Sequence, residues 1–198
     1  MLLHADMGYL VRTGWQRSLM VGYPCDTEGG PLPWMNFPVI AFLKGRLTSD
    51  QRLFEYGSGY STLFYAARTA SVVSIEYDKQ WYDRVSSELN GLACVLHCSK
   101  DEDGRYCRMI HEAGGTYDVV VIDGADRVNC LRETLLALSE RGVIILDDVH
   151  RERSYAPAFQ MARDAGFRHV IFEGLKPGGY GELVATAIFY RDGNCFGI

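Results

Sequence analysis

The stretch FEYGSGYSTL, Phe54 to Leu63, decides how the chain is read. An apolar start, an acid, then two glycines among hydroxyl side chains marks a buried strand handing over to a helix through an open turn. Gly57 and Gly59 let a ligand approach the backbone closely, and the helix that follows offers free amide groups at its N-terminus. A GxG turn alone is weak. It gains meaning from VVSIE, Val72 to Glu76, which ends on a second acid about 20 residues further on, where a carboxylate can accept hydrogen bonds from ribose hydroxyls. Together the two stretches describe a nucleoside site.

Outward from this turn, short apolar runs alternate with segments of helical period. LFE (53–55) is followed by a helix over about 61–69, and VVSIE by a helix with Asp78 as N-cap, Trp81, Val85 and Leu89 on one face and Gly91 past its end. LACVLH (92–97) reads as a third strand, and Tyr106, Met109 and Ile110 as a third helix. YDVVVID (117–123), the most apolar run, reads as a central strand buried on both faces. Leu131, Leu135 and Leu138 mark a helix ending at Gly142, and GVIILDD (142–148) is the fifth strand. A helix through Phe159 and Met161 leads to HVIFE (169–173), and LVATAIFY (183–190) is last. Only GLKPGGYGE separates these last two strands, too little for a parallel crossover, so they should be antiparallel. The expected fold is therefore α/β and Rossmann-like: a seven-stranded, mostly parallel sheet with one antiparallel strand and helices on both faces.

With 198 residues the chain suits one domain with a sizeable core. Residues 1–50, where Pro31, Pro33 and Pro38 surround Trp34 and a short helix runs from Pro38 to about Leu43, read as a cap; 51–190 as the sheet and its helices; 191–198 as a tail. The formal net charge of -5 argues against broad binding to a phosphate backbone, so nucleic acid is not an expected partner. The six cysteines form no CxxC pair, which points to reduced thiols, with Cys94 a small core residue. No basic leader precedes an apolar segment and no run of about 18 apolar residues occurs, so the expected setting is cytosolic, away from the membrane.

In open α/β sheets ligands collect beyond the carboxyl ends of the strands. The acids there are Glu55, Glu76, Asp123, Asp147 and Asp148. Any one of them can be a helix N-cap; five on one edge form a pattern. A dinucleotide turn would carry a third glycine where this chain has Thr62, and an acid two residues before Gly57 is awkward for pyrophosphate. It suits a nucleoside with a cationic tail, such as S-adenosylmethionine, with its sulfonium and ammonium groups.

EYGSGYS resembles the first motif of class I S-adenosylmethionine-dependent methyltransferases, and its GYS ending is similar to O-methyltransferases of the catechol and caffeoyl-CoA type. PLPWMNFP, IDGADR and IFYRDGNCFGI are similar to a group of small bacterial methyltransferase-like proteins. The resemblance covers about Gln51 to Tyr190. It implies Glu55, Gly57, Ser58, Gly59 and Ser61 around the methionine moiety, Glu76 on the ribose, Tyr77 along the adenine, and Ser99 with Asp101 near the adenine amino group. It also implies that Asp123, Asp147 and Asp148 can hold a divalent cation, with Mg2+ the expected ion; like charges so placed need a cation or a shared proton, and hard oxygen donors suit such ions. Sugar O-methyltransferases of the macrocin type have an acid two residues beyond the fourth-strand Asp, where this chain has Ala125.

Asp123 and His150 are the candidate catalytic bases. Trp34 and Asn36, with Met35 and Tyr60, are candidates to cover the acceptor, and the RER run from Arg151 to Arg153 reads as a solvated helix start able to clamp an anion. The expected activity is methyl transfer to a small molecule or sugar, at oxygen. A non-catalytic protein that binds S-adenosylmethionine and an NAD-dependent oxidoreductase are the alternatives.

Overall fold

The computed structural model describes residues 8–100, 103–150 and 152–198, apart from the side chains of 152 and 153. Asp101, Arg151 and the first seven residues, on which some expectations rest, lie outside the described residues, as do the side chains of Glu152 and Arg153. Seven strands, β1 (Arg52–Tyr56), β2 (Ser71–Glu76), β3 (Cys94–His97), β4 (Tyr117–Ile122), β5 (Leu138–Leu146), β6 (Arg168–Gly174) and β7 (Val184–Tyr190), form one sheet in the order β3-β2-β1-β4-β5-β7-β6. β7 runs antiparallel to both β5 and β6, and the other pairs are parallel. The short β6–β7 connection forces this, as its length implies.

Alternation along the central strands sorts the core into two layers. Phe54, Tyr56, Val120, Ile122, Ile144 and Leu146 face α6 (Arg105–Glu112), α7 (Arg127–Ala137) and α8 (Glu152–Asp164). Leu53, Val119, Val121, Val143 and Ile145 face α3 (Phe37–Lys44) and α4 (Tyr60–Ala66). Because β4 and β5 are buried on both sides where they cross the core, VVVI (119–122) and VIIL (143–146) read as unbroken apolar runs. α1 (Tyr9–Arg12) and α2 (Trp15–Val21) precede α3, and α5 (Lys79–Leu89) joins β2 to β3, capped by Asp78, which accepts from the Trp81 amide at 2.9 Å.

Two expectations are corrected. Leu138 does not end the fourth core helix: α7 stops at Ala137 and Leu138 opens β5 opposite Tyr117, with an irregularity before Val119 meets Val143. The chain bends back over Leu138 at Gly142, where an added Cβ would lie 2.4 Å from the Leu138 Cγ. Cys94 is exposed, because β3 is the edge strand and is covered poorly. Among the described residues no disulfide forms between the cysteines.

Candidate active site

β1 and β4 carry their chains to the sheet edge side by side, with Tyr56 level with Ile122. The two loops that follow touch. Gly57 has φ +94°, and an added Cβ there would lie 3.0 Å from the Gly124 backbone; one at Gly124 would lie 2.1 Å from the Tyr106 Oη. Gly124 was not singled out by sequence, although it stands next to the strand-ending Asp123. Gly59 behaves differently: at φ 173° it is extended backbone that any residue adopts, and its amide donates to Thr62 Oγ1 at 3.0 Å.

Beyond these loops opens a cavity of 850 Å³, within the range of ligand sites. One end is lined by Gly57, Ser58, Gly59, Ser61, Glu76, Tyr77, Asp78 and Trp81. Glu76, nearly buried, accepts from the amides of Ser58 at 3.1 Å and of Tyr77 and Asp78 at 2.8 Å each. Burial raises its carboxyl above the ordinary value, against the pull of those three donors. Trp81 donates from its indole to the Ser58 carbonyl at 2.7 Å, so α5 and the glycine turn are tied together. Ser58 Oγ is buried beside the cavity with no hydrogen-bond partner. A polar atom buried in that way is stabilised by a ligand that bonds it. These groups fit a nucleoside: a carboxylate for hydroxyls, an open backbone, an unsatisfied hydroxyl and the flat ring of Tyr77.

Glu55 is not part of that wall. It was expected at the strand end facing the ligand, but β1 continues to Tyr56, and alternation turns Glu55 sideways under α4. It is fully buried and accepts from Ser61 Oγ at 2.5 Å, Thr62 Oγ1 at 2.6 Å and Ser74 Oγ at 2.8 Å. Ser74 is its register partner on β2. Burial outweighs those hydroxyls and pushes the carboxyl up to about 7. Glu55 therefore anchors the turn from below. Ser99, half-buried just past β3, does not line the cavity either.

The other end of the cavity is lined by Leu19, Tyr23, Pro24, Trp34, Tyr60, Pro177 and Tyr180, with Asp123, Ala125 and Arg127 beneath. Trp34 is 56% exposed, not core: its indole donates to the Pro177 carbonyl at 2.9 Å and Lys176 lies 4.9 Å above its ring. Tyr23 stacks on Tyr60 with ring centroids 4.9 Å apart. Asn36 and Met35, expected over the acceptor, are instead fully buried. Asn36 caps α3 and so turns inward, its Oδ1 accepting from the Val39 amide at 3.0 Å and its Nδ2 donating to Phe172 O at 3.0 Å and Thr186 Oγ1 at 2.9 Å.

Asp123, Asp147 and Asp148 do converge, each offering an oxygen within 4.8 Å of the others. Ile122 pairs with Leu146, so the residues after them emerge level. Only Asp123 reaches the cavity. Burial raises its carboxyl well above the ordinary value, helped by the Asp147 charge and opposed by Arg127; Asp147 is raised by burial and by Asp148. Asp147, 2% exposed, accepts from Thr186 Oγ1 at 2.5 Å. The sequence reading missed Arg127, whose signal was its place four residues after Asp123. Its Nη2 lies 3.1 Å from Asp123 Oδ1 and 3.0 Å from Asp148 Oδ2. Its Nε donates to Gly124 O at 3.0 Å and its Nη1 to Asp147 O at 2.7 Å. The donor set does not fit a divalent cation, since a guanidinium already takes two of the three carboxylates and the loop carbonyls beside them.

His150 is not brought to the cavity. Asp148 is left-handed at φ 56°, Val149 turns into the core, and His150 is exposed, its Nδ1 3.5 Å from the Ala185 amide. Among the described residues no helix is long and apolar enough to cross a membrane.

No protein-family model matches the chain, and no curated protein matches it in sequence. Solved structures do match. The chain is similar to a candidate O-methyltransferase from Klebsiella pneumoniae, at 18% identity and TM-score 0.61 over 89% of this chain and 89% of that one. It is similar to a candidate methyltransferase from Streptococcus mutans in complex with SAH, at 10% identity and TM-score 0.55 over 76% and 94%. An rRNA methylase from Streptococcus thermophilus matches at 12% identity and TM-score 0.60 over 78% and 96%. What is shared at these identities is the fold, here a seven-stranded Rossmann-like sheet with β7 reversed next to its edge. The fold does not choose an acceptor.

Proposed function

We propose that the protein is an S-adenosylmethionine-dependent methyltransferase acting on an oxygen of a small molecule or sugar. The observation that carries this reading is the wall made by Ser58 and Glu76: an unpartnered buried hydroxyl beside a carboxylate, over a glycine turn. The likeness in fold to methyltransferases, one of them in complex with SAH, supports it.

S-adenosylmethionine, when bound, supplies a methyl group on a positively charged sulfur, open to displacement by an oxygen nucleophile. On this reading Glu76 and Ser58 hold the nucleoside and Tyr77 lies along its base. Trp34 and Tyr60 hold the acceptor and exclude water, which orients its hydroxyl toward the donor. Asp123 is the acid at the acceptor end of the cavity, and its carboxylate takes the hydroxyl proton as the oxygen attacks; burial raises its pKa well above the ordinary value, which makes the ionised group a stronger base. The acceptor end is walled by aromatic and aliphatic side chains, which favours a small molecule over a nucleic acid.

Calorimetry with S-adenosylmethionine, S-adenosylhomocysteine and NAD tests the reading. Both adenosyl compounds should bind, and binding of NAD alone would overturn it. Glu76→Ala removes charge-assisted hydrogen bonds of ~1.5–3 kcal/mol and should weaken binding about tenfold or more. With an acceptor in hand, Asp123→Asn should lower turnover by roughly 10²–10⁴ and leave cofactor affinity nearly unchanged.

A further inference from the structure

We propose that Arg127 is a built-in cation standing where a divalent metal would bind, closing the Asp123, Asp147 and Asp148 cluster to metal ions and holding Asp123 at the cavity. The geometry that brings three carboxylate oxygens within 4.8 Å of one another is the kind that gathers Mg2+, Mn2+ or Ca2+. Such an ion needs six or so oxygens arranged around one point. Arg127 already places a positive charge there and engages one oxygen of two of the three carboxylates. Its Nη2 bonds the carboxylates of Asp123 and Asp148, and the same nitrogen lies 3.2 Å from Asp123 O. Nε and Nη1 take the carbonyls of Gly124 and Asp147, two further hard oxygens of the two loops.

The remaining acid is engaged from the far side. Asp147 Oδ1 accepts from the Thr186 hydroxyl, and Thr186 Oγ1 in turn accepts from Asn36 Nδ2. Each of the three carboxylates therefore has a protein donor. The guanidinium side chain is only 13% exposed, and planar donors aimed at two carboxylates and three carbonyls fix its position. Arg127 thus ties the loop after β4 to the loop after β5, and it is a positioning residue for Asp123. The part that concerns Asp123 rests on the methyl-transfer reading above; the exclusion of metal does not.

The test is thermal unfolding and calorimetry of the full chain with MgCl2, MnCl2, CaCl2 or EDTA. Wild type should show no heat of cation binding, and its midpoint should move by less than about 1 °C at about 10 mM cation. Arg127→Gln, which keeps bulk and loses charge, should gain cation binding, seen as a rise of several degrees with Mn2+ or Ca2+ that EDTA reverses. Arg127→Lys, which keeps the charge, should stay insensitive. Stoichiometric cation binding by the wild type would overturn the proposal. So would a folded Arg127→Gln variant that ignores cations. If that variant does not fold, the wild-type and Arg127→Lys measurements decide. Binding of S-adenosylhomocysteine to the wild type is followed separately: its failure would sink the methyl-transfer reading and leave the cation result standing.

Discussion

Glu55 and Glu76 look alike in the sequence, each closing an apolar run, yet the fold uses them for different tasks. Glu76 is the last residue of β2 and borders the cavity; Glu55 is one short of the end of β1 and lies beneath α4. Its raised pKa has a consequence for stability. Between about pH 4.5, where an unfolded glutamate titrates, and about 7, the folded chain holds a proton the unfolded chain has released, so stability falls as pH rises through that window. The unfolding midpoint of the wild type should therefore drop from the acid to the neutral side more steeply than that of Glu55→Gln. Parallel slopes would mean that Glu55 is not the group responsible. Ser58 allows a second check at this scale. Its Oγ has no partner, so Ser58→Ala should unfold at the same temperature as wild type or slightly higher, while S-adenosylhomocysteine binds several-fold more weakly, a loss of ~0.5–1.5 kcal/mol. Equal affinity in both proteins would remove Ser58 from the binding wall.

Among the elements, the crossing of the β1–α4 and β4–α7 turns is where local sequence and tertiary contact meet. Gly57 is required twice over, by its positive φ and by the Gly124 backbone 3.0 Å from where a Cβ would sit. Gly57→Ala should cost roughly 2–4 kcal/mol, combining backbone strain with overpacking, and lower the midpoint by ~4–15 °C. Gly59→Ala should stay within about 0.5 kcal/mol of wild type, since its backbone is extended and its nearest neighbours would be 3.9 Å away. A GxG reading treats the two glycines as equals, and melting the two variants side by side would show that they are not. The strands and most helices were legible because strands buried on both faces read as short apolar runs, while burial along a helix repeats every three to four residues. Leu138 was not, because a leucine in helical register says nothing of the bend that Gly142 permits over it.

At the scale of the whole molecule, the Asn36 side chain helps join the N-terminal segment to the far edge of the sheet, alongside the Phe42–Phe172 ring contact and the bond from the Phe37 amide to the Leu175 carbonyl. Asn36 caps α3, donates to β6 at Phe172 and reaches β7 at Thr186, next to Asp147. Asn36→Ala removes the cap and strands buried groups, at a cost of roughly 2–4 kcal/mol and a fall of ~4–15 °C in the midpoint. Asn36→Asp keeps the cap but loses both donors and adds a charge near Asp147, so it should fall at least as far. A variant at wild-type stability would show that this junction carries little of the fold.

The sequence by itself determined the class of sheet, the reversed strand near its edge and the turn at Gly57, because apolar periodicity, connection length and backbone freedom are local properties. That Asp123, Asp147 and Asp148 would meet was implied only by the resemblance to metal-dependent O-methyltransferases, in whose fold the fourth and fifth strands are neighbours. Only the tertiary structure decided which acids face the cavity, because strand alternation and the true strand end set the direction of Glu55, and the αL turn at Asp148 sends His150 outward. It alone brought Arg127 into the carboxylate cluster, where long-range charge and hydrogen bonding decide what ion the site can hold.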